Sequence, residues 1–503
     1  MTKETKYVFC LTLIYFIVSL IGVMHHELWL DESHHWLLAR DSTSFLDLIQ
    51  NTRYEGHPIL WNILLFFITR VTSNPLWMQI LHILFSSAVV FIFLKKAPFS
   101  WVFKTLFIFG YFMLFEYNLI SRNYILGILF LFLAASCFKN RKNNVALIGI
   151  YLALASNIHL MFCVIAFALF LTLLLEQYQN KQIGTSATIG IGVFLLGLIL
   201  AAVQIIPPND TLFFNKIDAI PFHEKLIKGF ISLFKGLVTL PDFRSIHFWN
   251  SNIFVNLSKP FATVLGLLCY FIPLLFFKSR KMLFFVYTAL LGTQIFFFVT
   301  QRGATRFDGM TFIILILALW LEHYFTDENK KLASFIAAFK LNLLKKPIVY
   351  SILTIQLFSG VCAYAVDFKE PFCSAKETVK YIENENINTE NIISITCDGT
   401  LISPFLEKKV YFLCDESLQS YCHWDSTCKA DLPPEEIIEM ISKYMRHHQN
   451  ATYISTYPIA SNFQKDIWIN VTDEISICFL KNFERSIVRN ADYFVYEVKR
   501  IKS

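Results

Sequence analysis

Long apolar runs alternate with short polar intervals along this chain. The runs cover residues 7–24, 77–94, 101–117, 122–138, 145–157, 160–175, 187–206, 260–277, 282–299, 307–325 and 347–366. A spanning helix needs about 20 mainly apolar residues to cross a hydrocarbon core, so the pattern predicts a polytopic α-helical membrane protein with about 11 transmembrane helices. Two stretches decide that number. Residues 58–72 (PILWNILLFFITRVT) are apolar, but at about 1.5 Å per residue they reach only roughly 22 Å. They are expected to lie as an interfacial helix in a first outer loop, 25–76. Residues 145–175, in contrast, are expected to turn back near Asn157 and His159, because one long span there would invert everything downstream.

Composition agrees with the pattern. Of 503 residues, 55% are hydrophobic and 16% charged, too little polar surface to cover a soluble globule of this size. The net charge of +6 speaks for topology and against a nucleic-acid partner, because the basic residues gather at the ends of apolar runs. With the N-terminus inside, Lys95, Lys96 and Lys104, then Lys139, Arg141 and Lys142, then Lys278, Arg280 and Lys281, and finally Lys330, Lys331, Lys345 and Lys346 all fall on the cytoplasmic side. The positive-inside rule is then satisfied at each short loop. No small-residue cleavage site follows the run 7–24, which is expected to stay as a span.

An odd number of spans sends the tail outside. The expected organisation is therefore a membrane domain, 1–366, with a large outer loop at 207–259, followed by an extracytoplasmic domain, 367–503. The protein is expected in the plasma (inner) membrane. Six of the eleven cysteines (Cys373, Cys397, Cys414, Cys422, Cys428 and Cys478) lie in the tail and predict up to three disulfides in an oxidising compartment. N-x-S/T tripeptides at Asn209, Asn256, Asn450 and Asn470 fall on the same side. The tail mixes helix-like pieces (SAKETVKYIENEN, PPEEIIEMISKYM) with strand-like ones (NIISITC, KVYFLC, ADYFVYEV), which predicts a small α/β domain. Within 207–259, the periodic stretch HEKLIKGFISLFKGLV predicts an amphipathic helix.

Under this threading, four polar groups meet at the outer face: residues 25–35, 53–58, 116–124 and 302–308, joined by Asn157 and His159. Ionisable side chains at a membrane boundary are costly unless paired or hydrated, so their convergence marks a functional site. Bland readings stand beside it. Asp31 and Glu32 suit the positive end of a helix, Arg122 and Tyr124 suit interfacial anchors, His159 suits a turn cap, and Arg302 and Arg306 suit snorkelling side chains. His25, His26, His34 and His35 offer zinc-ligand chemistry, yet no HExxH spacing occurs and adjacent histidines on a helix point apart.

The order LWLDESHH, GHPILW, FEYNLISRNYILGILFLFLA, ASNIHLMF and TRFDGMTFIILILALW resembles the GT-C superfamily of glycosyltransferases. Within it, the resemblance is to protein-mannosyltransferase-like bacterial enzymes that use polyprenyl-phosphate sugar donors, and it covers roughly residues 7–325. The resemblance implies that Asp31 is the catalytic base with Glu32 beside it, that the late TRFD stretch makes Arg306 the favoured phosphate ligand over Arg302, and that His57 orients donor phosphate or acceptor. Arg122, Tyr124 and His159 complete the expected substrate-binding set. A two-carboxylate loop found in metal-using relatives is reduced here to Glu116 before YNLISR, which thins the case for a divalent metal cofactor; no metal ligands are assigned. The expected partners are a polyprenyl-phosphate-linked sugar, an acceptor that is lipid, glycan or protein, and membrane lipids. The expected reaction is inverting transfer of a hexose-like sugar. The alternative is a lipid-linked sugar flippase or transporter that uses the same cavity.

Overall fold

The computed structural model describes residues 2–181, 184–209, 220–300, 303–395, 397–423, 432–460 and 463–501. The membrane domain is helical: α1 (Lys3–Val23), α2 (Leu30–Asp41), α3 (Phe45–Asn51), α4 (Leu60–Thr69), α5 (Leu76–Lys96), α6 (Trp101–Ile108), α7 (Tyr124–Cys137), α8 (Val145–Ser156), α9 (Leu160–Gln179), α10 (Thr185–Ile205), α11 (Phe222–Leu237), α12 (Ile253–Leu257), α13 (Lys259–Cys269), α14 (Ile272–Phe276), α15 (Arg280–Thr300), α16 (Thr305–Glu322), α17 (Lys330–Ala338) and α18 (Asn342–Asp367). Seven helical stretches among the described residues are long and apolar enough to cross a membrane: α1, α5, α9, α10, the pair α13 and α14, α15, and α18.

The other four expected runs have a different character. Residues 101–117, expected as one span, break after α6 and re-form as a π-helical turn, Phe112–Glu116. Helices α7 and α8 have 14 and 12 residues, and α16 carries Arg306, Asp308 and Glu322. Burial explains how these are tolerated. Helix α16 is buried from Phe307 to Leu321 and α7 along most of its length, so neighbouring protein surrounds them. Broken or charged backbone is tolerated in a membrane where protein, not lipid, covers it. The longer helices carry the outward apolar surface: Phe9, Leu13 and Ile17 on α1, Leu196, Ile199 and Val203 on α10, and Leu291, Ile295 and Val299 on α15 are all exposed. An apolar belt on that scale suits a lipid environment.

Close helix contacts rest on small residues. A Cβ on Gly149 of α8 would lie 2.6 Å from the Gly190 carbonyl oxygen of α10, one on Gly190 2.7 Å from the Val145 carbonyl oxygen, and one on Gly197 2.5 Å from the Ala153 Cβ. Backbone therefore meets backbone along this pair, as small residues allow in membrane helices. The α8–α9 turn falls at 157–159, where the sequence expects it. Asn157 Nδ2 donates to the Gly197 carbonyl (2.9 Å), and Gln204 bridges Asn157 to the backbone N–H of Ile59 (3.1 and 2.9 Å). Helix α4 is short, as expected, but Pro58 precedes its first residue by two positions and does not occupy its first turn. Helix α11 forms the amphipathic helix expected in the 207–259 loop. It buries Ile231, Leu233, Phe234 and Leu237, and its Gly236 abuts the backbone of Asp308.

The tail folds around one seven-stranded sheet. Strands β1 (Ile392–Ser394), β2 (Val410–Phe412), β3 (Ser417–Gln419), β4 (Asn450–Ser455), β5 (Trp468–Asn470), β6 (Ile475–Phe483) and β7 (Tyr493–Arg500) lie in the order β3-β2-β1-β4-β7-β6-β5. β1 is parallel to β2 and β4; the remaining pairs are antiparallel. Helices α19 (Ala375–Asn384), α20 (Asp398–Leu406) and α21 (Pro434–Met445) pack around it. The tail carries disulfides, as expected, at fewer than the upper limit of three. Cys397 and Cys422 form a disulfide and Cys414 is also disulfide-bonded, but Cys373 and Cys478 are free thiols buried in the core, so three bridges cannot form; Cys428 lies outside the described residues. The bridged segment reaches the membrane domain, where Ser420 bonds Asp41 at the end of α2 and Tyr421 packs edge-on against His34.

Where α1 ends, His26 ties three elements together. Its Nδ1 lies 2.9 Å from Asp367 at the end of α18, and its Nε2 lies 3.4 Å from Glu32 on α2. Burial opposes the charge on His26, yet the two carboxylates outweigh it and raise its pKa to about 10. A folded-state pKa above the unfolded value of about 6.5 gives stability that is full below that pH and lost as pH rises through the folded value. We therefore expect His26→Gln to lower the thermal midpoint at about pH 7, and the gap between variant and native protein to close as pH approaches 10. A gap that stays constant across that range would contradict the ion-pair assignment. Gly190→Leu is expected to destabilise by about 1–3 kcal/mol through overpacking against α8, measured by thermal unfolding in detergent.

Candidate functional site

The first turn of α2 presents two adjacent carboxylates, and the helix sends them in different directions. Glu32 turns inward and is fully buried. It accepts from the backbone N–H of Trp29 (2.9 Å), capping its own helix, and from the backbone N–H of Ser121 (2.6 Å), and it faces His26. Asp31 pairs instead with the guanidinium of Arg122, and Arg306 Nη2 lies 3.7 Å away on its other side. Of the expected site residues, the structure thus brings Asp31, Arg122 and Arg306 together, from α2, from the 117–123 segment and from α16. Arg302 lies outside the described residues.

Aromatic rings frame this cluster. The Arg306 guanidinium sits 4.9 Å from the Trp29 ring, 4.9 Å from Phe307 and 5.9 Å from Trp249. Arg122 sits 5.6 Å from Trp29 and 5.4 Å from Tyr124. Stacking of this kind fixes a planar guanidinium and lowers its hydration, leaving its edge for an anion. The Nε atoms of both arginines are buried and meet no partner among the described residues. Two unspent charge-assisted donors beside one carboxylate make the cluster an acceptor for a second anion.

Glu116 has a different task. Its carboxylate accepts from Trp249 Nε1 (3.0 Å) and the Tyr111 hydroxyl (3.1 Å), so it positions the tryptophan that flanks Arg306. Asp308 pairs with Lys235 of α11 (2.9 Å) and bonds Ser232. The Tyr117 hydroxyl donates to the Arg306 carbonyl (2.6 Å), which fixes the start of α16. His82 lies between the Asn118 and Arg122 carbonyls (3.0 and 2.8 Å) and braces the segment that carries Arg122.

The histidines divide into groups. His159 caps α9, its Nδ1 accepting from the Met161 N–H (3.1 Å), while its ring meets Tyr124, Phe307 and His57 at 5.3, 5.6 and 6.0 Å. It borders the cluster and also serves the turn. His57 follows Gly56, whose positive φ of 67° makes the tight turn glycine favours. It packs 5.0 Å from the His35 ring, with Nδ1 3.4 Å from the Pro58 carbonyl. His34 Nε2 lies 2.6 Å from Glu55. Burial lowers His57 and holds His35 well below the ordinary imidazole value; burial opposes charge on His34 too, but Glu55 outweighs it and raises His34. The adjacent histidines do diverge, His34 toward Glu55 and Tyr421, His35 toward His57.

Several of these partners escape sequence reasoning. Trp249 lies in the long 207–259 loop, Asp367 closes the last spanning helix, and Glu55 lies in the polar group 53–58, where only His57 carries an expected role. The WN pair at 249–250, an aromatic and an amide just before an apolar run, is the one hint available. Neither protein-family models nor curated proteins give a match to this chain.

The contrast between adjacent carboxylates is directly measurable. Glu32→Gln is expected to cost about 3–5 kcal/mol, because buried His26 loses a counter-ion and two backbone N–H groups lose an anionic acceptor. Asp31→Asn, at the more open end of the turn, is expected to leave the thermal midpoint within a few degrees of the native value. Equal losses from the two substitutions would contradict the division of roles.

Proposed function

We propose that this protein is a membrane glycosyltransferase that moves a hexose-like sugar from a polyprenyl-phosphate donor to an acceptor on the extracytoplasmic face, with inversion. The observation that carries the reading is the Asp31–Arg122–Arg306 cluster: one carboxylate held between two aromatic-stacked guanidiniums with donor atoms to spare. Such a group suits a reaction in which a phosphate departs and a hydroxyl must lose its proton.

In this reading the donor phosphate engages the free edges of Arg122 and Arg306 and competes with Asp31 for them. The carboxylate is then released to act as base. The acceptor hydroxyl oxygen forms a bond to the anomeric carbon, the bond from that carbon to the phosphate oxygen breaks, and the phosphate leaves with the electron pair as polyprenyl phosphate. The hydroxyl proton passes to Asp31. Trp29, Trp249 and Phe307 hold Arg306 in plane, while His159 and Tyr124 wall the site.

The eleven-span threading belongs to the same proposal, with the N-terminus cytoplasmic, the tail outside and four further spans, the broken 101–117 run and the short or charged helices α7, α8 and α16, counted beside the seven longer ones. The Cys397–Cys422 disulfide supports an oxidising location for the tail. Contact of Ser420 and Tyr421 with the α2 region supports the tail and first outer loop sharing one side.

Radiolabelled polyprenyl-phosphate hexose with purified protein in detergent tests the reaction. Native protein is expected to yield a new glycosidic linkage, with Asp31→Asn about 10²–10⁴-fold slower and Arg306→Ala about 10²–10³-fold slower. Movement of donor across vesicles without chemistry would favour a flippase, and a fully active Asp31→Asn would remove the base.

A further inference from the structure

Beside the arginine cluster lies a second grouping that the transfer reaction leaves unused. His35 on α2, with Glu55 and His57 on the loop before α4, can each offer one ligand atom such that the three atoms lie within 4.8 Å of one another. His35 and His57 are buried and Glu55 is partly so. The His35 Nδ1 is buried and meets no partner among the described residues. His57 has Nδ1 toward the Pro58 carbonyl, and a hydrogen bond there leaves Nε2 with its lone pair available. His34 engages the Oε1 atom of Glu55, and the carboxylate supplies one oxygen to the set.

We propose that His35, Glu55 and His57 form a binding site for a divalent transition metal of the zinc type. Two imidazoles and one carboxylate are the donor set of a three-ligand zinc site with an open fourth position. Backbone and imidazole contacts to the ligands, here Pro58 to His57 and His34 to Glu55, are the outer contacts that orient such ligands. Tetrahedral zinc with bonds near 2.1 Å separates its donors by roughly 3.4 Å. The observed spacing therefore requires the three side chains to close slightly around the ion, a change that rotation about χ angles supplies.

The chemistry argues for an ion over a simple hydrogen-bonded knot. A knot would pair the ring nitrogens at full hydrogen-bond distance, whereas among the described residues His35 Nδ1 has no partner at that distance, although the Asn62 side chain also faces the ring. The grouping was hidden from the sequence because no HExxH-like spacing links its members. Instead, His35 alone turns toward the loop, and the partners come from the YEGHP turn more than 15 residues away. A cation here would add positive charge next to the pair of arginines. That consequence rests on the phosphate-binding reading; the metal site itself does not.

The test uses purified full-length protein in detergent, stripped with chelator, re-equilibrated with zinc and freed of excess metal. Elemental analysis is expected to find about one zinc per chain, and Glu55→Gln and His57→Ala each to weaken zinc binding by at least about tenfold. Cobalt substitution of the native protein supplies a readout that needs no variant: a nitrogen and oxygen ligand field without thiolate charge transfer is expected. Three results would overturn the site: native protein that retains no metal, zinc that binds both variants as tightly as native, or a thiolate signature from cobalt. None of these depends on sugar transfer, so loss of the metal site and loss of the transferase reading are separable.

Discussion

Charge removed from water must find its opposite, and the interior of this protein is arranged around that requirement at the start of α2. Glu32 is surrounded on all sides: its own helix N-terminus, the Ser121 backbone and His26, which in turn leans on Asp367. This knot joins the neighbouring helices α1 and α2 to the 117–123 segment and α18, which lie far from them in sequence. Because Glu32 is fixed, the next residue on the helix is fixed too. Asp31, in the same helical turn, is thereby aimed at Arg122 and Arg306.

The same logic explains the unusual helices. Residues 111–123 abandon regular α-helix, α7 and α8 are short, and α16 carries charge; the 111–123 segment, α7 and α16 are largely buried among other helices, while α8 keeps Leu147 and Ile150 exposed. Irregular backbone exposes donors and acceptors, and here those groups meet Glu32, His82 and Tyr117 instead of lipid. The broken region is thus both the least membrane-like part of the chain and the part that assembles the site.

Much of this was legible in the sequence, for definite reasons. Long apolar runs report helices directly, and in the tail the strand-like pieces NIISITC, KVYFLC and ADYFVYEV contain β1, β2 and most of β7 while the two helix-like pieces form α19 and α21; β4 has no counterpart among those pieces. The polar groups that contain Asp31, Arg122 and Arg306 stand out because charge beside an apolar run is costly, whereas the choice of Asp31 and Arg306 within them rests on the resemblance to GT-C enzymes. The break inside 101–117 was not legible, since FIFGYFMLFE is apolar throughout and what breaks it is the demand of a polar cluster built by distant residues. Glu32 looked equivalent to Asp31 because period alone cannot tell which of two adjacent acids will find backbone donors. Trp249, Asp367 and the Glu55–His35 proximity likewise depend on contacts across more than a dozen residues, and the free state of Cys373 and Cys478 depends on where the sheet buries them.

The central claim is that the arginine pair facing Asp31 receives a lipid-linked phosphate. A density map of the full chain with a polyprenyl-phosphate sugar bound tests this most directly. The account expects phosphate oxygens within hydrogen-bond distance of Arg122 and Arg306, with the anomeric carbon turned toward Asp31. A donor phosphate held elsewhere, with the Asp31–Arg122 pair still closed, would contradict it.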